Sequence, residues 1–439
     1  MSLKVWCFRL KGLSLQDNEF CQLRKEIMKI KEIHIENFRC IENLAIVNAD
    51  PKMNLIVGVN GAGKTSVLDS LAIALSWMIA RMKSASAKGT VPTDKDVRLG
   101  SKNPCSITVK TDTGVSWAVR KSKTYSARKK LAAFKTDLGE MSSLAEQIVE
   151  GVDKGGSVPV LMYYPVERAI AMVPVNLHRS EPIIWDVYKD ALSGNSNFRS
   201  FFEWYRRQED VENEMIRDDA SYRDPCLSAV RKAVAMFFPD FSELRVRRRP
   251  KQAMVLKKGN ETIEFTQLSQ GEKCYLSLVC DIARRLSIAN PGLENPLEGE
   301  GIILIDEVDL HLHPKWQSEV ASRLMKVFPN CQFFLSTHSA IVLSDILKRQ
   351  IVPISGGKMI DVAFEPYGKQ ANYILNSYFG MPYPRNQAVA MDIERAFDAV
   401  RAGDSERYRD LYDKLLPIVG ASDSDLVNLI IEAKRRGIR

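Results

Sequence analysis

The sequence lacks the patterns that mark secreted, zinc-binding or membrane-spanning proteins. Its eight cysteines never occur as C-x-x-C, so neither a zinc ribbon nor a thioredoxin motif is present. Isolated thiols in a chain of this length are typical of a reducing cytoplasm. The N-terminus has no signal-peptide apolar core, and the longest apolar helix candidate, residues 67–80, carries Asp69 and is too short to span a bilayer. We therefore expect a soluble cytoplasmic protein with no membrane partner.

Charge of one sign is also not in large excess. The chain has 62 lysines and arginines against 54 acidic residues, a net charge of +8 over 439 residues. This mildly basic balance permits contact with nucleic acid but does not require it.

The length allows about three domains. We predict a weakly ordered extension at 1–27, a main domain at 28–360 with a helical insertion at about 180–240, and a helical partner-docking region at 361–439.

One glycine-rich stretch organises the main domain. Residues 58–66 read G-x-x-x-x-G-K-[ST], after an apolar strand at 53–57 and before a helical pattern. In this strand–loop–helix context the loop amides and the helix N-terminus bind phosphates, the lysine reaches the β- and γ-phosphates, and the threonine hydroxyl ligates Mg²⁺. The sequence therefore predicts an ATP–Mg²⁺ site formed by Asn60, Gly61, Ala62, Gly63, Lys64, Thr65 and Ser66.

Two acids follow a second apolar strand at 301–305. We expect Asp306 to hold Mg²⁺ together with Thr65, and Glu307 to polarise the attacking water. Most of the catalysis of phosphoryl transfer is positioning and charge stabilisation. The expected catalytic groups are therefore Glu307, Lys64 and a histidine, His338, which follows a later strand.

A third segment, Leu-Ser-Gln-Gly-Glu-Lys at 268–273, opens a predicted helix at 272–286 and resembles the signature motif of ABC-type ATPases. The order of the motifs, from Asn-Phe-Arg at 37–39 to Ser-Thr-His-Ser at 336–339, resembles the ATPase heads of the SMC, RecF and OLD group. Within that group, the stretches at 163–168, 201–205, 268–273 and 304–314 are similar to compact ATPases of bacterial defence loci, of the Septu and retron-associated kind.

This resemblance implies a fold, an assembly and a partner. The fold is α/β, an ABC-type P-loop head with a mixed core sheet, flanking helices and an antiparallel β lobe, plus a helical insertion and a helical C-terminal tail. The head dimerises so that Ser269, Gly271 and Glu272 of one copy face the ATP of the other. Arg39 approaches the phosphates, and the switch residue His338 hydrogen-bonds the γ-phosphate. The implied partner is an HNH-type nuclease, with a retron reverse transcriptase and its msDNA, or DNA itself, left open.

Some features depart from the family pattern. No convincing Q-loop glutamine follows the strand at 158–164, and Glu167 or Arg168 is a weak substitute. The insertion is too short and lacks the heptads of an SMC coiled coil. His311 and His313 have metal-pair spacing but no third ligand cluster, so we favour a structural role for them. The tail has Asp423-Ser-Asp425, which we interpret as a helix cap rather than as part of a Toprim nuclease.

Two rival functions stay open at this point. A DNA-repair clamp resembling RecF would use the basic segment with Arg245, Arg247 and Arg249, predicted on one face of a strand, or the basic loop at 121–130. A solvated surface is at least as good an interpretation of either segment. A transporter's ATP-binding subunit fits poorly, because the docking Q-loop is missing.

Overall fold

The computed structural model describes residues 28–122, 136–166, 183–193, 198–363, 365–381 and 385–438. The chain divides into two units, the first ending at Gly368 and the second spanning Lys369–Arg439. That boundary lies a few residues beyond the one we predict at 360. The extension at 1–27, residues 123–130 of the basic loop, and the Q-loop substitutes Glu167 and Arg168 lie outside the described residues.

The strands described in the first unit are β1 Ile30–Phe38, β2 Ile41–Val47, β3 Met53–Val57, β4 Cys105–Thr111, β5 Ser116–Lys121, β6 Val160–Tyr164, β7 Phe241–Arg247, β8 Ala253–Lys258, β9 Glu261–Glu264, β10 Gly301–Ile305, β11 Cys331–Thr337, β12 Ile351–Ser355 and β13 Lys358–Met359. Its helices are α1 Lys64–Lys83, α2 Gly139–Asp153, α3 Phe198–Asp218, α4 Pro225–Phe237, α5 Gln270–Ala289, α6 Pro314–Gln317, α7 Val320–Val327 and α8 Ala340–Leu343.

The core sheet has the order β13-β12-β3-β11-β10-β6. The neighbouring strands from β12 through β3, β11 and β10 to β6 are all parallel to one another, and β13 pairs antiparallel with β12. Every residue of β3, β6, β10 and β11 is buried. Mostly apolar runs such as Met53–Val57 and Gly301–Ile305 suit parallel strands that are covered on both faces.

Two antiparallel sheets complete the unit, with the orders β2-β1-β4-β5 and β7-β8-β9. β1 alternates between buried residues such as Ile33 and Ile35 and more exposed ones such as His34, because only one face meets the core. Trp117 on β5 donates its indole N–H to the Ala74 carbonyl of α1 at 3.1 Å, which fixes that helix beneath the sheet. The mixed core sheet, the antiparallel lobe and the helices α3 and α4 in the expected insertion confirm the predicted fold class.

Helix α1 is longer than the pattern at 67–80 suggests. Its 20 residues are enough, by length and composition, to cross a membrane, and it is the one such helix in the part of the chain that the structure describes. However, 72% of the apolar window is buried inside the protein. Our prediction that this helix is too short to span a bilayer is therefore wrong. It is the burial of α1, not its length, that identifies it as a core helix.

The second unit is helical in its described residues, with α9 Ala371–Ser377, α10 Gln387–Ala402, α11 Ser405–Val419 and α12 Ser424–Arg435. The last three share an apolar core that includes Ile393, Leu415 and Leu429. Asp423 accepts hydrogen bonds from the backbone N–H groups of Asp425 and Leu426, which makes it the N-cap of α12. The cap interpretation of the Asp-Ser-Asp segment is confirmed.

Candidate nucleotide-binding site

The parallel strands of the core sheet bring the separate sequence motifs to one edge. β3 leads into the glycine-rich loop, β11 into His338, β10 into Asp306, and β6 ends at Tyr164. These four strands are neighbours in the order β3-β11-β10-β6. The carboxyl ends of parallel strands are where open α/β sheets bind ligands, so the predicted site is gathered at one place by topology alone.

The glycine-rich loop has a shape that only glycine adopts without strain at two positions. Gly61 and Gly63 have φ values of 79° and 107°, in the left-handed region. Lys64 begins α1, and its ammonium donates to the carbonyls of Gly58 at 2.8 Å and Val59 at 3.2 Å. The lysine therefore lies across the mouth of the loop, where it can exchange these carbonyls for phosphate oxygens.

Thr65 and Asp306 meet although 241 positions separate them in the chain. The Thr65 hydroxyl donates to Asp306 Oδ2 at 2.7 Å, and the other carboxylate oxygen accepts from the Ser336 hydroxyl of β11. Asp306 is fully buried. A hydroxyl and a carboxylate at this spacing are hard oxygen donors of the kind that Mg²⁺ prefers, beside a loop shaped for phosphates.

Glu307 has a strained backbone, with φ of 46°. Its N–H donates to Ser336 Oγ at 2.7 Å, and the next N–H, of Val308, donates to the Ser336 carbonyl at 2.9 Å. The same serine therefore fixes both Asp306 and Glu307. Left-handed non-glycine residues cost free energy and cluster at functional sites, which agrees with the catalytic role that we predict for Glu307.

His338 faces the loop that follows the two acids. Its Nε2 lies 3.6 Å from Asp309 Oδ2, and its side chain is 47% exposed. Thr337 donates its hydroxyl to the other oxygen of the buried Asp309. The expected switch histidine is thus placed at a strand end beside Asp309, where it remains accessible to a ligand.

Electrostatics join Lys64 to the acids. Burial lowers the pKa of Lys64 below its ordinary value, and the charges of Glu307, Asp306 and Asp309 oppose that shift. An incoming anion would stabilise the charged form of this desolvated ammonium further, and a divalent cation beside that anion would offset its repulsion by the acids. The polyphosphate of a nucleotide with a bound divalent cation has that character.

Arg39 is placed near the loop, but carboxylates hold its guanidinium. Its Nε donates to Asp96 at 2.9 Å, and its Nη1 donates to Asp69 on α1, one turn after Thr65. Asp69 also accepts from the Tyr163 hydroxyl at 2.7 Å. Contact between Arg39 and a nucleotide stays a prediction. The sequence does not predict the Tyr163–Asp69–Arg39 chain of hydrogen bonds, because no local pattern links residues from three distant segments.

The signature segment caps helix α5. Ser269 is the N-cap: its Oγ accepts from the Glu272 N–H at 3.3 Å, and Glu272 Oε2 accepts from the Ser269 N–H at 2.9 Å. A capping serine can still donate its own hydroxyl proton to a phosphate oxygen. Any side chain at Gly271 would overlap the His311 carbonyl oxygen, so a glycine is required there.

Glu272 is engaged within its own chain. Lys258 Nζ lies 2.6 Å from Glu272 Oε1. Burial alone would raise the pKa of Glu272, but the bonds from Lys258 and Ser269 hold it below its ordinary value. The geometry therefore gives Glu272 a capping role, and its predicted contact with nucleotide stays untested. His313 caps α6 by accepting from the Lys315 N–H at 3.3 Å, and Pro314 is the first residue of that helix, a position that suits proline.

The basic segment predicted for DNA needs a correction. β7 ends at Arg247, so Arg249 lies beyond the strand and cannot share its face by alternation. Arg247 is paired with Glu264, and Arg248 with Glu209 and Asp210. Acids therefore engage Arg247 and Arg248, whereas Arg245 and Arg249 are exposed, so the three arginines do not form the single strand face that a phosphate-backbone patch was expected to use.

A buried ionic cluster around Asp281 is a further feature that no sequence pattern predicts. Asp281 on α5 accepts hydrogen bonds from Arg284, Arg285 and, at 3.0 Å, the Tyr164 hydroxyl at the end of β6. Burial would raise the pKa of Asp281, but the two arginines lower it to about 2. The cluster ties the signature helix to a strand of the core sheet.

Comparison with known proteins gives the following relatives. A family described as "AAA domain" matches residues 32–228, and one described as "AAA domain, putative AbiEii toxin, Type IV TA system" matches residues 174–345. The Retron Ec83 probable ATPase of Escherichia coli is 29% identical, over 97% of this chain and 89% of its own. The Retron Vc95 probable ATPase of Vibrio cholerae serotype O1 biovar El Tor is 28% identical, over 79% and 78%.

The Septu protein PtuA of Bacillus thuringiensis is 22% identical, over 76% of this chain and 78% of its own. These similarities confirm the resemblance to ABC-type ATPases of the Septu and retron kind that the motifs predict. They extend over most of the chain rather than over the phosphate loop alone.

Proposed function

We propose that this protein is an ABC-type ATPase that binds ATP–Mg²⁺ at the edge of its core sheet and hydrolyses it slowly in the cytoplasm. The bond between Thr65 and Asp306 is the observation that carries the proposal, because it joins the phosphate loop to the acid strand with the donors that Mg²⁺ requires. When bound, Mg²⁺ supplies charge stabilisation for the phosphate oxygens. Lys64 holds the phosphates, Glu307 orients the attacking water, and His338 contacts the γ-phosphate.

The active form in this proposal is a dimer that encloses two nucleotides. Ser269 starts a helix of 20 residues, and a helix N-terminus attracts anions through its free N–H groups and its dipole. The hydrogen bonds of Ser269 leave its segment capped and preformed, which lowers the cost of receiving a phosphate from a second copy. Gly58 to Ser66 of one copy and Ser269 with Gly271 of the other would then form one site.

We further propose that ATP binding regulates an HNH-type nuclease in anti-phage defence, and that this chain cuts no nucleic acid itself. The similarity to retron ATPases over most of the chain supports the defence role. Asp423 and Asp425, the D-x-D pair that a Toprim nuclease would use, are occupied by the cap of α12 and by Arg385. The second unit is the candidate docking region for the nuclease.

The bond that carries the proposal is also its test. Thr65→Val removes the hydroxyl but keeps the branched shape, whereas Thr65→Ser keeps the hydroxyl and serves as the matched control. We expect Thr65→Val to lose Mg²⁺-dependent ATP hydrolysis and Thr65→Ser to retain it, measured by phosphate release over a Mg²⁺ titration. Equal activity in the two variants would contradict the proposed site.

The partner is tested separately. The full-length protein is purified together with the products of its neighbouring genes, and the co-eluting proteins are identified by mass spectrometry. An HNH nuclease supports the proposed regulation, and a reverse transcriptase with msDNA in the same complex would assign the retron setting. A permease would contradict it, and steeply salt-dependent DNA binding by the isolated chain with no nuclease in the complex would favour the rival DNA-repair function.

A further inference from the structure

The hairpin formed by β12 and β13 packs against the phosphate loop at Gly58, Ala62 and Gly63. β12 runs parallel to β3, with Pro353 opposite Val57 at the strand end. The chain then turns at Gly356 and Gly357, over the loop, before β13 begins. No motif points to this hairpin, which lies almost 300 positions after the loop in the sequence.

Three contacts define the arrangement. At the start of the loop, any side chain on Gly58 would overlap the Ile354 carbonyl oxygen. Near its middle, the Gly357 N–H donates to the Ala62 carbonyl at 2.9 Å. At its end, the position of a side chain on Gly63 is 3.7 Å from Gly357 Cα.

The hairpin turn also lies against the segment that carries Arg39. A methyl group at Gly357 would be 2.6 Å from the Cys40 carbonyl oxygen and 3.1 Å from Ile41 Cα. These are backbone atoms, so they cannot move aside as a flexible side chain would. Gly357 is therefore wedged between the turn at Cys40 and the phosphate loop, and only glycine fits.

We propose that the Gly356–Gly357 turn is a positioning element for the phosphate loop, which sets the affinity for ATP. The inference rests on the proposed function. The Gly357 N–H donates to one loop carbonyl and the turn lies against Gly63, so the loop amides are held in the conformation that receives phosphates. A loop held in advance loses less conformational freedom when the nucleotide binds.

The two adjacent glycines give a matched pair of variants. Both have left-handed φ values, 55° for Gly356 and 74° for Gly357, but a side chain at Gly356 meets nothing within 4 Å. Gly356→Ala therefore reports the backbone strain alone, and Gly357→Ala adds the displacement of the turn. Gly357→Ala is expected to raise the Kd for Mg-ATPγS and the KM for ATP at least about tenfold beyond Gly356→Ala. The kcat at saturation should change by less than about twofold, since the loss is one of uniform binding.

Hydrogen–deuterium exchange of the unmodified protein gives a second measurement that does not depend on how a variant folds. Mg-ATPγS is expected to slow exchange in the peptide that covers the hairpin as well as in the one that covers the loop. If the wild-type protein binds Mg-ATPγS but Gly357→Ala binds as well as Gly356→Ala, or if hairpin exchange is unchanged, the positioning proposal is overturned. If the wild-type protein binds no Mg-ATPγS, the proposed function itself is contradicted.

Discussion

Ser269 has two separable roles in this account, and one substitution distinguishes them. Ser269→Ala removes the N-cap of α5, whose bond from the Glu272 N–H is 3.3 Å long. Loss of a serine cap costs about 1 kcal/mol of stability. If the same hydroxyl also donates to a phosphate oxygen of ATP in a second copy, a hydrogen bond to a charged group is lost as well, which is worth about 1.5–3 kcal/mol.

The second loss corresponds to a decrease in kcat/KM of about 10- to 150-fold. Asp404→Ala is the control, because Asp404 caps α11 in the second unit by accepting from the Arg407 N–H at 3.0 Å. Both variants should unfold at similarly lower temperatures in calorimetry, and only Ser269→Ala should lose ATPase activity. Equal activity in the two variants would refute the reasoning, since Ser269 would then be a cap and nothing more.

Two further substitutions test the catalytic acid and the buried cluster. Glu307→Gln should reduce kcat by about 10²- to 10⁴-fold while ATP stays bound and the dimer persists, as light scattering with ATP would show; a variant that hydrolyses ATP at the normal rate would remove Glu307 from its role. Asp281→Asn should lower the free energy of unfolding by about 3–5 kcal/mol, because Arg284 and Arg285 keep their charges in a buried site. The control Asp398→Asn breaks an exposed pair with Arg401 and should change the unfolding free energy by less than about 0.5 kcal/mol in urea titrations, so equal effects would contradict the importance of burial.

The sequence predicts well those strands and motifs whose residues are contiguous in the chain. The strands Met53–Val57, Gly301–Ile305 and Cys331–Thr337 are mostly apolar, and each leads directly into a motif: the phosphate loop, the two acids and His338. Once three such strands are recognised as parallel neighbours, their ends must meet. That argument places Lys64 and Asp306 near one another without any structure.

The sequence does not predict contacts that depend on how distant segments pack. The hairpin at Gly357, the Arg39–Asp69–Tyr163 chain and the cluster around Asp281 each join residues whose local patterns are ordinary. A glycine pair reads as a simple turn, and an i,i+3 or i,i+4 Asp–Arg set such as that of Asp281 reads as a solvated helix face. The structural roles of these residues depend on which other segments pack against them, and that packing is a property of the whole fold.

Helix α2 is an element that the sequence does not predict, for a different reason. Gly139–Asp153 buries only Met141 and Ala145 fully, so its apolar stripe is narrow and its sequence resembles a polar connection. The strand β7 shows the opposite error, because the alternation of arginines predicts a strand that continues past Arg247, towards Pro250. Proline cannot donate to a sheet ladder, and that signal could have ended the predicted strand earlier.

The central claim is that one ATP is held by two copies of the chain, and mixing two inactive variants tests it most directly. Lys64→Ala disables the phosphate loop and Ser269→Arg disables the signature helix, so each protein alone should be inactive. In a mixed dimer one of the two sites regains both intact halves, and an equal mixture should recover about a quarter of the wild-type rate per subunit if dimers form at random. No recovery at any mixing ratio, with subunit exchange demonstrated, would contradict the shared site.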